Sequence, residues 1–232
     1  IFQAGSSEAG KQLGSKYANA IFTELHALET AKELYRDIKR RAGAWGRPPD
    51  DVLIMPGINP IVGRTKEEAE AKYERASSFL SLNKALEYLG RYFDHHDFKQ
   101  YDPDGPFPDI RELGKNGFQS ITDSILNEAR EQRLTLRQAA YKAAAPRSEF
   151  IGTPETIADL MQQWLEEEAA DGFILDIHAA DGLDDFVRLV IPILQERGLF
   201  HGEYEHTTLR GHLGLSVPAN RYATRGASGD ER

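Results

Sequence analysis

Ile1-Phe2-Gln3-Ala4-Gly5-Ser6-Ser7-Glu8-Ala9-Gly10 reads as a short apolar strand that stops at Ala-Gly, turns through two serines and opens a helix. That layout can hold an anion. The N–H groups of a helix's first turn have no intrahelical partner, and the helix dipole puts partial positive charge there. Glycine lets the backbone approach a ligand closely, and small hydroxyls donate without filling the space. The same residues also make an ordinary N-cap.

Outward from this turn, residues 7–18 carry Ala9, Leu13 and Tyr17 at four-residue steps, which predicts one apolar helix face. A strand, Ala20-Ile21-Phe22-Thr23, follows. A helix through Leu28, Ala31, Leu34, Tyr35 and Ile38 then runs into Arg40 and Arg41, which read as solvated charges complementing the helix dipole. Residues 52–63 are extended but broken by Pro56-Gly57 and Pro60, which predicts a bulge or sharp bend. Thr65-Lys66-Glu67-Glu68 is a capping box opening the next helix.

Strand–helix alternation of this kind means parallel α/β. It lapses over residues 82–150, where a helix with Leu82, Leu86 and Leu89, an irregular segment and two helices (121–132 and 135–145) read as an insertion. The pattern resumes with a cap at Thr153 before Pro154 and a stripe of Ile157, Leu160, Met161, Trp164 and Leu165. The strand Phe173-Ile174-Leu175-Asp176-Ile177 comes next. A last core helix over 182–197 should bury Leu183, Phe186, Val187, Val190, Ile191 and Leu194, with a kink at Pro192. The tail from Gly198 has no periodicity, and its end reads as disordered. The divisions are therefore 1–81 (three strands and their helices), 82–150 (insertion), 151–200 (last strand and flanking helices) and 201–232 (C-terminal extension).

Composition narrows the function. A chain of 232 residues with 40% apolar and 28% charged residues can bury a real core, and no apolar run is long enough to span a bilayer. A net charge of -9 argues against a general nucleic-acid binder. The absence of cysteine excludes disulfides, thiolate metal sites and cysteine nucleophiles, and agrees with a cytoplasmic location. The first residues read as a core strand with neither an initiator Met nor a signal peptide, so the chain is expected to be the C-terminal part of a longer polypeptide.

Four strands are compatible with a doubly wound sheet or a (β/α) barrel. No G-x-G-x-x-G is present, which weakens the dinucleotide version of the first. Four parallel strands cannot close a barrel, so the second needs the remaining strands from elsewhere.

Several ordered stretches point to one family. They are Gln3-Ala4-Gly5-Ser6-Ser7, residues 47–63 with Arg64-Thr65-Lys66-Glu67-Glu68-Ala69, residues 101–108, Gly152-Thr153-Pro154-Glu155, Ala170-Asp171-Gly172-Phe173, Gly182-Leu183-Asp184-Asp185-Phe186-Val187, Arg197-Gly198-Leu199-Phe200 and Thr207-Thr208-Leu209-Arg210-Gly211-His212-Leu213-Gly214-Leu215. Together they resemble the C-terminal half of the flavin-dependent monooxygenases of the nitrilotriacetate monooxygenase component A and dibenzothiophene-sulfone monooxygenase group, in the bacterial-luciferase-like superfamily. The resemblance implies strands five to eight of a TIM-type (β/α)8 barrel, with a helical insertion before the last strand. It also implies that Gly5, Ser6 and Ser7 hold the phosphate of FMN at the strands' C-terminal ends.

By the same resemblance, a separate NAD(P)H-dependent flavin reductase supplies reduced FMN, molecular oxygen is co-substrate, and a small organic molecule is oxygenated. The complete enzyme is expected to be a homo-oligomer. Catalytic residues are expected upstream of Ile1, and no metal or triad is required. A non-catalytic flavin- or phosphate-binding half-barrel and a deazaflavin-dependent oxidoreductase of the same superfamily are the alternatives.

Asp176 and His178, at the end of the last strand, are candidates for the substrate pocket; a loop histidine bonded to backbone is the alternative. His95-His96-Asp97 lacks a recognised metal spacing and reads as a solvated loop. Glu166-Glu167-Glu168 reads as a solvated helix face and Trp164 as core. Residues 101–108 could line the active-site entrance or serve as a structural cover.

Overall fold

Each of the first three strands runs directly into a helix that covers it. In a computed structural model of the chain, which describes residues 1–25, 27–110, 113 and 119–217, β1 (Phe2–Ala4) leads to α1 (Glu8–Tyr17), and β2 (Ala20–Thr23) to α2 (Leu28–Ala44). β3 (Leu53–Ile58) passes through a two-residue β4 (Ile61–Val62) to α3 (Lys66–Ser78). The segment read as an insertion comprises α4 (Leu82–Tyr92), α5 (Gln119–Glu131) and α6 (Leu136–Ala144). Then come β5 (Ile151–Gly152), α7 (Pro154–Glu166), β6 (Ile174–Leu175), α8 (Gly182–Asp185), α9 (Ile191–Glu196) and α10 (Leu209–His212).

The main sheet has the order β1-β2-β3-β6, and its pairs are parallel. Successive strands lie side by side without reversal. Right-handed crossovers then place their helices on one face, whereas a doubly wound sheet needs a point where the order turns back. Burial agrees. In β3, flanked on both sides, Ile54 and Ile58 are buried against helices while Met55 and Gly57 on the other face are only half-buried. The chain is an α/β protein with a singly wound parallel sheet.

The core on the helix face contains Ile58, Val62, Phe150, Ile157, Trp164, Phe186, Val190 and Leu194. Burying each such large apolar side chain contributes about 1.5–3 kcal/mol. Trp164 is core, and its indole N–H donates to Glu149 Oε1 at 3.0 Å. The insertion has a separate apolar cluster built on Leu86, Leu89, Phe93, Phe98 and Leu136.

Several expectations need correction. Leu13 and Tyr17 of α1 are 55% and 54% exposed, and Ala9 is also exposed; the buried side of that helix is Gly14 and Ser15. A Cβ on Gly14 would stand 2.7 Å from Ile21 Cδ1, so glycine sets how closely α1 sits on the sheet. Leu183 and Val187 are likewise exposed, at 54% and 51%, although Phe186, Val190 and Leu194 are buried as expected. Four-residue spacing identifies a face but not which face packs.

Arg41 is not a solvated charge: it bonds Asp37 and, through both terminal nitrogens, Glu8, tying α2 to α1. Residues 52–63 divide at Asn59-Pro60, and β4 leaves the main sheet to pair with β5. The strand expected over 173–177 is ordered as a ladder only at Ile174–Leu175. At α3, Thr65 Oγ1 accepts from the Glu68 N–H, but the Glu68 carboxylate reaches the N–H of Arg64, one residue before the cap.

The expected kink at Pro192 takes the form of a π turn over Phe186–Val190, which opens the helix just before the residue that lacks an N–H. The tail contains a helical turn, α10, capped by Thr208. Residues 218–232, read as a disordered end, lie outside the described residues.

Candidate functional site

Gly5, Ser6 and Ser7 follow β1; Glu24 and Leu25 follow β2; Asn59 follows β3; Asp176 and His178 follow β6. Parallel pairing brings these residues to one end of the sheet. In parallel α/β proteins that end carries the ligand site.

The first turn is built by Gly5, whose φ of 110° suits glycine, and whose N–H donates to Phe22 O of β2 at 3.2 Å. Ser7 is the N-cap of α1: its Oγ accepts from the Gly10 N–H at 3.2 Å, and its carbonyl accepts from Lys11. The N–H groups of Glu8 and Ala9 precede the first intrahelical bond. The Ser6 hydroxyl has no hydrogen-bond partner among the described residues, and the Ser7 hydroxyl keeps its proton to donate.

Glu8 would oppose an anion here. Hydrogen bonds from Arg41 and Lys11 engage its carboxylate and hold its carboxyl below the ordinary glutamate range. The turn therefore offers unspent donors with its own acid neutralised. These residues fit a phosphate.

At the other side of the face, Asn59 Nδ2 lies 2.7 Å from His178 Nδ1, and His178 Nε2 lies 2.9 Å from Asp176 Oδ2. The Asp176 N–H donates to Ile58 O at 2.8 Å, which holds the β6 end against the β3 end. Asp176 and His178 are thus brought together, and the ring is bonded to side chains on both nitrogens rather than to backbone. Asn59 was not among the residues singled out from sequence; its position next to Pro60, just past a strand, was the available signal.

Three buried side-chain atoms lack a hydrogen-bond partner among the described residues: Gln3 Oε1, Thr23 Oγ1 and Asn59 Oδ1. They lie in β1, at the last residue of β2 and just after β3. Of the three, Asn59 Oδ1 belongs to the corner with His178 and Asp176, while Gln3 Oε1 faces α1, 2.9 Å from where a Cβ on Gly14 would stand.

Other expected contributors fall elsewhere. His96 packs edge-on to Phe98, with its Nε2 3.0 Å from the Tyr101 hydroxyl, and belongs to the insertion. Residues 101–108 also pack within the insertion, where Gly105 O accepts from the Leu136 N–H. Among the described residues, the end of α4 comes near Glu24, which follows β2. Burial, the Tyr88 hydroxyl and the charge of Glu24 together raise the Tyr92 phenol above its ordinary range. Glu167, expected in water, pairs with Lys32 at 2.7 Å.

A hollow of about 340 Å³ between α1 and α2 is lined by Glu8, Gln12, Arg40, Arg41, Ala44 and Trp45. Another of about 460 Å³ lies on the insertion. Neither contains the strand-end residues, because an open sheet makes a face and not an enclosed cavity.

Residues 1–172 match the profile of the luciferase-like monooxygenases, a span that includes β1, β2, β3 and the serine turn. The chain belongs to the luciferase-like monooxygenase family. It is 42% identical over 226 residues to the N-acetyl-S-(2-succino)cysteine monooxygenase of Bacillus subtilis (strain 168), covering 96% of this chain and 51% of that protein. It is also 42% identical over 226 residues to nitrilotriacetate monooxygenase component A of Aminobacter aminovorans, covering 96% and 50%.

Among solved structures, riboflavin lyase (RcaE) with modified FMN and substrate riboflavin superposes with a TM-score of 0.77 at 29% identity, over 95% of this chain and 48% of that one. The chain spans about half the length of the luciferase-like relatives it matches. Among the described residues no helix is long and apolar enough to cross a membrane.

Proposed function

We propose that the chain forms strands five to eight of a (β/α)8 barrel in an FMN-dependent monooxygenase. Both flanks of the sheet support this reading. β1 and β6 are edge strands, and beside them Leu13 and Tyr17 on one side and Leu183 and Val187 on the other stand exposed, as they would if further strand–helix units packed there. The half-buried face with Phe22, Leu53, Met55 and Gly57 becomes the barrel interior.

The observation that carries the site is the serine turn. Gly5 gives close approach, and the Ser6 and Ser7 hydroxyls with the N–H groups of Glu8 and Ala9 hold the FMN phosphate. When bound, reduced FMN supplies the electrons that activate molecular oxygen for transfer to a small organic substrate. This chain anchors one end of the cofactor and presents Asn59, Asp176 and His178 to the substrate. Residues of strands one to four supply the remaining contacts and any acid or base. A separate NAD(P)H-dependent reductase delivers the reduced flavin, which places the system in the cytoplasm.

The test compares FMN with riboflavin, which lacks the phosphate. In the Ser6→Ala/Ser7→Ala double variant, FMN affinity should fall at least about tenfold, a loss of about 1.4 kcal/mol, while riboflavin affinity is unchanged. Equal weakening of both flavins, measured by fluorescence titration, rejects the phosphate assignment.

A further inference from the structure

The corner where β3 and β6 end carries a statement about the substrate itself. Asn59 precedes Pro60, which confines its backbone to extended conformations and so limits where its side chain can go. An amide nitrogen only donates, so the contact between Asn59 Nδ2 and His178 Nδ1 makes Nδ1 the acceptor. The ring proton then sits on Nε2 and is donated to Asp176 Oδ2. The ring's donor and acceptor are both spent inside the corner.

Besides the second N–H of the Asn59 amide, what remains for a ligand is acceptor capacity. Asn59 Oδ1 is buried without a partner, and Asp176 is a carboxylate whose side chain is 69% exposed. No lysine or arginine among the described residues bonds to Asn59, Asp176 or His178. Glu24, exposed at the end of β2, adds a second negative charge to the same face.

We propose that Asn59, His178 and Asp176 form an acceptor-rich recognition corner that takes an amine-type, hydrogen-bond-donating group of the substrate and disfavours a carboxylate. The proposal rests on the reading of this face as the substrate side and deepens it. An ammonium or amide N–H satisfies the buried Oδ1 and meets the Asp176 charge. A carboxylate leaves Oδ1 unpaired and adds repulsion. The names of two relatives point to polycarboxylates, nitrilotriacetate and a succinocysteine; this chain is assigned a different polar preference.

The probes are n-butylammonium and butyrate, matched in length and opposite in charge, titrated into the protein with ¹⁵N-labelled histidine. The His178 ring signals are assigned by their loss in His178→Gln. n-Butylammonium should shift the His178 signals saturably and bind at least about tenfold more tightly than butyrate, a difference worth about 1.4 kcal/mol. Asp176→Asn and Asn59→Ser, each checked for native circular dichroism, should each reduce that preference several-fold.

Equal or tighter butyrate binding overturns the proposal. So does a folded protein whose His178 signals respond to neither probe, or a preference that both variants leave intact. FMN affinity is measured on the same samples. Loss of FMN binding with the ammonium preference retained defeats the flavin reading alone, and FMN binding without the preference defeats the corner alone.

Discussion

The two ends of the sheet treat their polar groups in opposite ways. At the N-terminal end, Asp171 accepts from the Tyr35 hydroxyl at 2.9 Å and the Ile54 N–H at 2.7 Å, and pairs with Lys39 at 2.8 Å. Lys39 also donates to Pro49 O and Val52 O. Arg47 gathers carbonyls at the end of α1, including Ser15 O at 2.8 Å, together with Asp51 O. Arg210, from α10, reaches Asn19 Oδ1 at the start of β2. These groups are spent on each other. At the C-terminal end, Ser6, Thr23 and Asn59 keep polar atoms without partners. On the proposed reading, the saturated end holds the fold and a ligand completes the polar atoms left at the other.

The sharpest break of that comparison is at Asp171. Asp171→Ala leaves the Lys39 ammonium, the Tyr35 hydroxyl and the Ile54 N–H without their acceptor, and should cost about 3 kcal/mol in urea unfolding. A loss below about 1 kcal/mol would mean the base network is dispensable. Next comes Thr23, 1% exposed with an unpartnered Oγ1. Thr23→Val keeps the shape and removes the orphan hydroxyl, so the ligand-free protein should gain about 1 kcal/mol, opposite in sign to the base substitution. Destabilisation by a similar amount would show that the hydroxyl has a partner after all.

The smallest effect concerns pH. Burial opposes ionisation of Asp37, but Arg41, Lys11 and Arg40 outweigh it and hold its carboxyl well below the usual aspartate range. A lowered folded value favours the folded state above the unfolded value. The contribution is therefore complete above about pH 4 and is lost as pH falls from there toward the folded value. Melting temperature should fall below that point in the wild type and fall less steeply in Asp37→Asn; parallel curves would remove Asp37 from the acid limb.

Much of this organisation was readable in the residues because it depends on local rules. The serine cap of α1 and the cap at Thr153 follow from side chains that reach their own backbone, and both are present. Pro56 and Pro60 announced an interrupted strand, and the interruption lies at Asn59-Pro60. Trp164 sits on a stripe whose spacing matches a buried helix face. Periodicity failed at α1 and in the helix that begins at α8, where Leu13, Tyr17, Leu183 and Val187 face outward, because spacing carries no information about which side a neighbour occupies.

Asn59 was not singled out, and Arg41 was read as solvated, for a related reason. Their partners are 119 and 33 residues away, beyond anything a local pattern can report.

The sequence by itself determined the alternation of strands and helices and the cap of the Gly-Ser-Ser turn, because backbone propensity and hydrophobic spacing act over a few residues. Its ordered motifs also determined the family. Only the tertiary structure decided that β4 leaves the sheet, that His178 lies between Asn59 and Asp176, and that Asn59 Oδ1 and Thr23 Oγ1 are left without partners among the described residues. Those outcomes depend on which distant residues are brought within hydrogen-bond reach, and parallel pairing of strands far apart in the chain sets that distance.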